Sequence, residues 1–326
     1  MKILFVADPL ASFNTYKDST FAMMREAARR GHEIWACEVG ELAWVSGGRV
    51  SAQGARRLAL SEAALASQAG DKVAHWYELA ATQDLALADT DAVLMRKDPP
   101  FDSEFFYATH LLEQAQREGA RVFNRPSALR EHPEKLAILE FSQYISPTLV
   151  TRSAAAIRAF HGEHQDIILK PLDGMGGMGI FRVRADGLNL GSIIETLNKN
   201  GAQTVMVQRF VPEIAQGDKR VLLIGGQPVP FCLARIPQGS EVRGNLAAGG
   251  KGVAQALSES DRRIAEALGP MLAARGLLLV GLDIIGDKMT EINVTSPTCF
   301  QEIAQQTGFD VAAMFVTALE AAVAAA

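Results

Sequence analysis

Over the first third of the chain the apolar positions alternate between two rhythms. KILFVAD (2–8) is a short apolar run closed by Asp8, the pattern of a buried strand. After it Phe21, Met24, Ala27 and Ala28 recur at helical spacing between a cap at Asp18 or Ser19 and a stop at Gly31. EIWACEV resumes a strand, DAVLMR predicts another, a helix is expected from about Ser103 to Glu118, and ARVFN closes the series. Strand–helix–strand alternation of this kind predicts a small parallel, Rossmann-like sheet flanked by helices. The Ala-rich stretch from Ser51 to Ala88 reads as helical, with weak boundaries.

Past Asn124 the rhythm changes. RPSALREHPEKLAILEFS reads as two short helices separated by Pro133. The strands from Thr148 onward come in hairpins: TVMVQRFV, KRVLLIGGQPVPFCLARIP, and LLLVGLDIIGDKMTEINV with a turn at Gly286-Asp287. Helices are predicted around 190–200, 258–275 and from Asp310 to the Ala-rich end. The fold class is therefore α/β, with α+β character in the C-terminal part. The expected division is 1–124 and 125–326, the latter splitting near residue 212.

Composition narrows the function. The 326 residues are 48% hydrophobic and 21% charged, which is ample core for two or three domains. A net charge of −5 offers no basic face for nucleic acid. No apolar run approaches a membrane span, and the apolar start is cut too soon by Asp8 to be a signal segment. Three widely spaced cysteines, Cys37, Cys232 and Cys299, point to reduced thiols in a cytoplasm. Asn293-Val294-Thr295 matches a glycosylation sequon that has no secretory context here.

In DIILKPLDGMGGMGIFRV, Gly174, Gly176 and Gly179 satisfy G-x-G-x-x-G, but the dinucleotide fingerprint needs a helix after the glycines. The glycines lead instead into IFRV, a β-favouring run, and no Gly-Lys-Ser/Thr comes after them either. A strand, a glycine-rich turn containing Gly174, Gly176 and Gly177, and a second strand make a hairpin whose N–H groups can close over phosphates. The alternative is a hairpin serving only as a turn.

Four further features lie beyond or around it in a telling order. Lys135 and Lys170 would neutralise a polyphosphate from two sides, whereas either alone fits a solvated surface. Arg220 and Arg235 interrupt apolar strands, which suits either an anion or an exposed sheet edge. The segment from Ile236 to Gly252 has excess glycine and no period, the character of a lid. Glu291 and Asn293 project from one strand face, and the Gly286-Asp287 hairpin brings Asp283 near them. These oxygen ligands suit Mg²⁺; a solvated polar face is the other reading.

That order of motifs resembles the ATP-grasp family of carboxylate–amine ligases. The strings KDSTFAMM, LMRKDPPFD, LKPLDGMGG, DKRVL, LARIPQG, RGNLAAGG, VGLDIIGD and TEINVTSPTC are similar, nearly end to end, to the bacterial glutathione synthetases. The resemblance implies a pre-ATP-grasp domain for substrate, then an ATP-grasp fold with a glycine-rich lid loop. It implies ATP-dependent joining of γ-glutamylcysteine to glycine through an acylphosphate. ATP is co-substrate, Mg²⁺ the metal with Mn²⁺ as an alternative, and Asp283, Glu291 and Asn293 its ligands. Lys135 and Lys170 would lie on the phosphates, Arg220 and Arg235 at the reacting carboxylate, and Arg243 and Asn245 would come in with the lid. Gln208, Arg209, Phe210 and Val211 would form the adenine hinge. Lys17, Asp18, Ser19, Arg96, Lys97 and Asp98 would receive the dipeptide, because open α/β sheets bind ligands at the carboxyl ends of their strands. The family also implies small-molecule partners and a homotetramer. The rivals are another ATP-grasp ligase, such as the D-alanine–D-alanine type, or a nucleotide-binding protein that has lost catalysis.

Overall fold

The structure, a computed structural model, describes residues 1–239 and 241–325. Ser240, inside the glycine-rich segment, and Ala326, at the Ala-rich end, lie outside the described residues. The amino-terminal elements are β1 (Lys2–Val6), α1 (Ser19–Arg29), β2 (Glu33–Cys37), β3 (Leu42–Ala43), β4 (Ser51–Leu60), α2 (Glu62–Ala66), β5 (Tyr77–Leu79), β6 (Gln83–Ala86), β7 (Ala92–Met95), α3 (Ser103–Arg117) and β8 (Val122–Phe123). They build one sheet in the order β3-β4-β2-β1-β7-β8, with β5 and β6 also paired to β4. Strands β2, β1, β7 and β8 run parallel, as the alternating pattern predicts. Asp18 caps α1, its carboxylate accepting the Phe21 N–H at 2.8 Å.

The stretch from Ser51 to Ala88 corrects the helical expectation. It holds a ten-residue strand, a five-residue helix and two short strands. Ala52, Ala55 and Leu58 are the buried positions, a spacing of three that imitates a helix. The pairing of β4 with β6 shifts register between Ala52 and Ala55, and a bulge of that kind breaks the two-residue alternation. Four strands hydrogen-bond to β4, and those bonds outweigh the helix propensity of alanine.

The second part contains α4 (Pro126–Glu131), a 3₁₀ turn at Ala137–Tyr144, and β9 (Thr148–Thr151), α5 (Ala154–His164), β10 (Ile167–Pro171), β11 (Phe181–Val183), α6 (Leu190–Asn198) and β12 (Val205–Arg209). Here β11-β10-β12-β9 form an antiparallel sheet. The glycine-rich segment is thus the connection of an antiparallel hairpin, with Ile167 opposite Val183. Then come β13 (Asp218–Ile224), β14 (Gln227–Ile236), β15 (Lys251–Ala256), α7 (Glu259–Ala274), β16 (Leu279–Ile285), β17 (Lys288–Asn293), α8 (Phe300–Thr307) and α9 (Val311–Ala324). Their sheet runs β15-β14-β13-β16-β17 and is antiparallel throughout. Helices α5 and α8 and strand β9 add to the elements the pattern predicts.

Apolar packing ties the two parts together. Phe21 and Met24 of α1 share a buried cluster with Leu222 of β13, Phe300 of α8 and Phe315 of α9. At the same junction Arg30 pairs with Glu320 at 2.9 Å. Helix α1 therefore packs against α8 and α9 of the second part. No helix among the described residues is long and apolar enough to cross a membrane. Cys37, Cys232 and Cys299 are free and buried.

Candidate active site

One cavity of about 830 Å³ opens between the sheets, and every residue singled out from sequence as a site candidate lines it. The face of the carboxy-terminal sheet that forms one wall is set by register. Asp218 lies opposite Arg235, Arg220 opposite Asp283, and Asp283 opposite Glu291. Two-residue alternation puts Asp218 with Arg220 and Glu291 with Asn293 on that same face. The two arginines, open to either reading from sequence, are buried rather than edge-exposed, at 7% and 4%.

Each guanidinium has an anion. Arg220 grips Asp283 with two hydrogen bonds, at 2.6 and 3.1 Å. Arg235 bridges Asp218 at 2.6 Å and Asp283 at 2.9 Å. Burial pushes the Asp283 carboxyl up, but the two guanidiniums outweigh it and hold it well below the usual carboxylate range. Burial wins at Asp218, whose pKa is raised with Arg235 offsetting only part. Two cations and two anions alternate here, which keeps both arginines charged and aimed at the cavity wall.

The lysines meet this face from the other side. Lys135 donates to Glu291 Oε1 at 3.0 Å and to the Gly174 carbonyl at 2.6 Å. Lys170, on β10, donates to the Thr290 carbonyl at 3.0 Å. Burial pushes the Lys170 ammonium down to about 8, against an upward pull from Glu291. Glu134, which sequence reading passed over, accepts from the Val294 and Thr295 N–H groups and the Thr295 hydroxyl, at 3.0, 3.1 and 2.8 Å. It pins the end of β17 where Glu291 and Asn293 sit. Asp218 was also missed, although its two-residue spacing from Arg220 is a legible signal.

The glycine-rich hairpin and the segment after β14 touch. Arg243 donates to the Gly177 carbonyl at 3.2 Å and pairs with Glu241. A Cβ at Gly177 would come within 2.7 Å of Asn245 Oδ1. Strand β14 runs to Ile236, β15 begins at Lys251, and Leu246–Ala248 form a 3₁₀ turn, so the segment has more structure than its missing period predicts. Added Cβ atoms at Gly244 and Gly250 would overlap the carbonyl oxygens of Arg235 and Gly244 respectively. These two glycines allow close backbone packing, a role separate from flexibility.

At the hinge, the N–H groups of Arg209 and Phe210 donate to Pro147 and Asp166 carbonyls, at 3.0 and 2.9 Å. The Val211 N–H donates to no group among the described residues. Gln208 is buried and donates to the Thr148 hydroxyl at 3.0 Å, while Phe210 lies 3.5 Å from the Arg182 guanidinium.

Across the cavity, Lys17, Asp18 and Ser19 follow β1 and Arg96, Lys97 and Asp98 follow β7. These are neighbouring parallel strands, and their onward connections diverge there. Lys97 pairs with Asp8 at 2.7 Å, and Asp98 accepts from the Ser296 hydroxyl. Arg96, 6% exposed, donates to Thr20 Oγ1 at 3.1 Å and to the Pro297 carbonyl at 3.2 Å.

Two antiparallel sheets facing each other over such a cavity, behind a parallel-sheet domain, define the ATP-grasp ligases. The ATP-grasp ligase PsnB has this fold, with a TM-score of 0.62 at 18% identity over 98% of this chain and 99% of that one. D-cycloserine synthetase DcsG has it too, with 0.66 at 16% over 98% and 99%. The chain belongs to the prokaryotic glutathione synthetase family, whose N-terminal domain matches residues 1–130 and whose ATP-grasp domain matches 134–308. It is 60% identical to the glutathione synthetase of Ralstonia nicotianae over 99% of this chain and 96% of that protein. Against that of Neisseria meningitidis serogroup B it is 57% identical over 98% of each. It is an ATP-dependent ligase.

Proposed function

We propose that the chain joins γ-glutamylcysteine to glycine in the cytoplasm, with ATP phosphorylating the cysteinyl carboxylate before the glycine amine attacks. The observation that carries this reading is the charged face of Arg220, Arg235, Asp283, Glu291 and Asn293. It lies across one cavity from the Lys17–Ser19 and Arg96–Asp98 turns. A carboxylate resists both phosphorylation and attack by an amine, so the protein's work is to position the reactants and neutralise charge. Residues 1–124 supply the dipeptide site and 125–326 the nucleotide site, with the break of the latter near 212.

Lys135 and Lys170 take the phosphates, the hairpin at Gly174, Gly176 and Gly177 covers them, and the free Val211 N–H meets the adenine edge beside Gln208, Arg209 and Phe210. Arg220 and Arg235, held charged by their carboxylates, face the oxygens on which negative charge develops. Arg243 and Asn245, seated on the hairpin, close the site against water, which would otherwise hydrolyse the acylphosphate. Among the described residues no group of three or more His, Cys, Asp or Glu could hold a metal alone. The donors nevertheless fit a magnesium ion carried in with phosphates. Glu291 Oε2 and Asn293 Oδ1 accept no hydrogen bond among the described residues, and Asp283 stands beside Glu291. Glu291, Asn293 and Asp283 would hold Mg²⁺ or Mn²⁺, which neutralises phosphate charge. The family resemblance supports a homotetramer.

The reading is tested by measuring phosphate and tripeptide side by side with Mg-ATP, γ-glutamylcysteine and glycine. One-to-one formation is expected; phosphate release only with a different acid and amine would overturn the substrates. Gly250→Ala, which forces the loop off the Gly244 carbonyl, should raise phosphate above tripeptide. An unchanged ratio at full rate would remove the lid role.

Lys170 adds a pH dependence. It is a cation below its pKa of about 8 and neutral above it, so kcat/KM for ATP should fall as pH rises through that value. Lys170→Arg keeps its charge and should abolish the fall while restoring little rate, because a planar fork does not match a compact ammonium site. An unaltered fall in Lys170→Arg would assign the titration elsewhere.

A further inference from the structure

Strand β17 closes its sheet, so one of its edges has no neighbouring strand. A free edge presents unpaired N–H and C=O groups, and Mg²⁺ demands near-ideal octahedral placement of its ligands. Glu291 and Asn293 therefore need support that β16 gives on one side only. Glu134 supplies it on the other. The Ile292 N–H donates to the Glu134 backbone carbonyl at 3.0 Å, and the Val294 N–H to Glu134 Oε1, also at 3.0 Å. These two N–H groups belong to the peptide bonds that follow Glu291 and Asn293, so each ligand is fastened next to its own Cα. The same Oε1 accepts from the Thr295 N–H and hydroxyl, at 3.1 and 2.8 Å.

The surroundings make this a rigid support. Glu134 sits in a tight turn after α4, where the Pro133 carbonyl accepts the Leu136 and Ala137 N–H groups, each at 2.8 Å. Its neighbour Lys135 holds Glu291 Oε1 at 3.0 Å. Beyond Asn293, the Val294 carbonyl accepts from Asn124 Nδ2 at 2.8 Å, so both backbone groups of Val294 are engaged by side chains from outside the hairpin. We propose that Glu134 is a positioning residue for the ligation: it stands in for the missing strand at the edge of β17 and thereby aims Glu291 and Asn293 at the metal. This role rests on the reading of those two residues and Asp283 as the magnesium ligands, and adds what holds them in place. The working group is an acceptor oxygen within reach of Val294 and Thr295, with no need of its charge. Burial, and next the nearby Glu291, raise the Glu134 pKa, so a negative charge is a cost there.

Two conservative variants separate reach from charge. Glu134→Gln keeps an acceptor oxygen at the same distance along the side chain and loses the charge; Glu134→Asp keeps the charge and withdraws the oxygens by one methylene. Residues that orient metal ligands typically contribute about 10–100-fold in metal affinity or activity, so kcat should fall by about that factor in Glu134→Asp, and Glu134→Gln should retain about tenfold more than Glu134→Asp. Calorimetric titration with ADP, with and without Mg²⁺, gives a readout apart from turnover. The unaltered chain and Glu134→Gln should bind ADP more tightly when Mg²⁺ is present; Glu134→Asp should lose most of that gain while its affinity for metal-free ADP stays within about twofold. A merely structural role would lower the melting temperature of Glu134→Asp and leave its Mg²⁺-dependent gain and kcat untouched, which would overturn the proposal. The reverse order, with Glu134→Gln the more impaired, would overturn it too and assign the charge itself to the chemistry. If Mg²⁺ adds nothing to ADP affinity in the unaltered chain, the metal reading of Glu291, Asn293 and Asp283 falls, and the role of Glu134 with it.

Discussion

Glu291→Gln is expected to lower tripeptide formation on the order of 10²–10³-fold or more while leaving the fold intact, and Asn293→Ala to do nearly the same. Gln keeps the shape and an acceptor for Lys135, whose ammonium lies 3.0 Å from Glu291 Oε1, so little packing is lost. What disappears is a negative oxygen ligand, and its effect is largest where phosphoryl charge is being transferred. The loss should therefore fall on kcat more than on KM for γ-glutamylcysteine. The melting temperature should stay within about 4 °C, the equivalent of ~1 kcal/mol in a protein of this size. Rates like those of the unaltered chain at saturating Mg²⁺ for both variants would show the face to be merely solvated.

Asp283→Ala should do what the previous pair does not, and damage the fold as well as the reaction. The Arg220 and Arg235 side chains are 8% and 5% exposed and both bond to this carboxylate. Removing it strands two buried guanidiniums, and breaking a buried pair in this way costs about 3–5 kcal/mol. The melting temperature should fall on the order of 10 °C. Since the folded-state pKa of Asp283 is depressed, its contribution is present above the ordinary carboxylate range of about 4 and is lost as pH falls through the folded value. The gap in stability between the unaltered chain and Asp283→Ala should accordingly narrow in acid. A melting temperature within about 2 °C of the unaltered chain at neutral pH would show that the arginines find other anions or water.

Helix α1, its cap at Asp18 or Ser19, the runs that form β1, β2 and β7, and the hairpin around Gly286 were legible in the sequence, because each rests on a hydrophobic period or a dihedral preference within a few residues. The same locality made Glu291 and Asn293 readable as one face and exposed G-x-G-x-x-G as a hairpin, since the glycines open into a strand and not a helix. Strand β4 was not legible. Its bulge replaces alternation by a spacing of three, and only its bonds to β2, β3, β5 and β6 make it a strand. Nor could any local rule pair Arg235 with both Asp218 and Asp283, bring Glu134 to the end of β17, or set Phe300 of α8 against Ser19 at the start of α1. Those are choices of register between strands and of docking between distant segments. The sequence alone determined which chemistry the chain carries and in what order. The tertiary structure alone decided which charges neutralise one another and which are left for a ligand, because burial and counter-charge depend on neighbours far away along the chain.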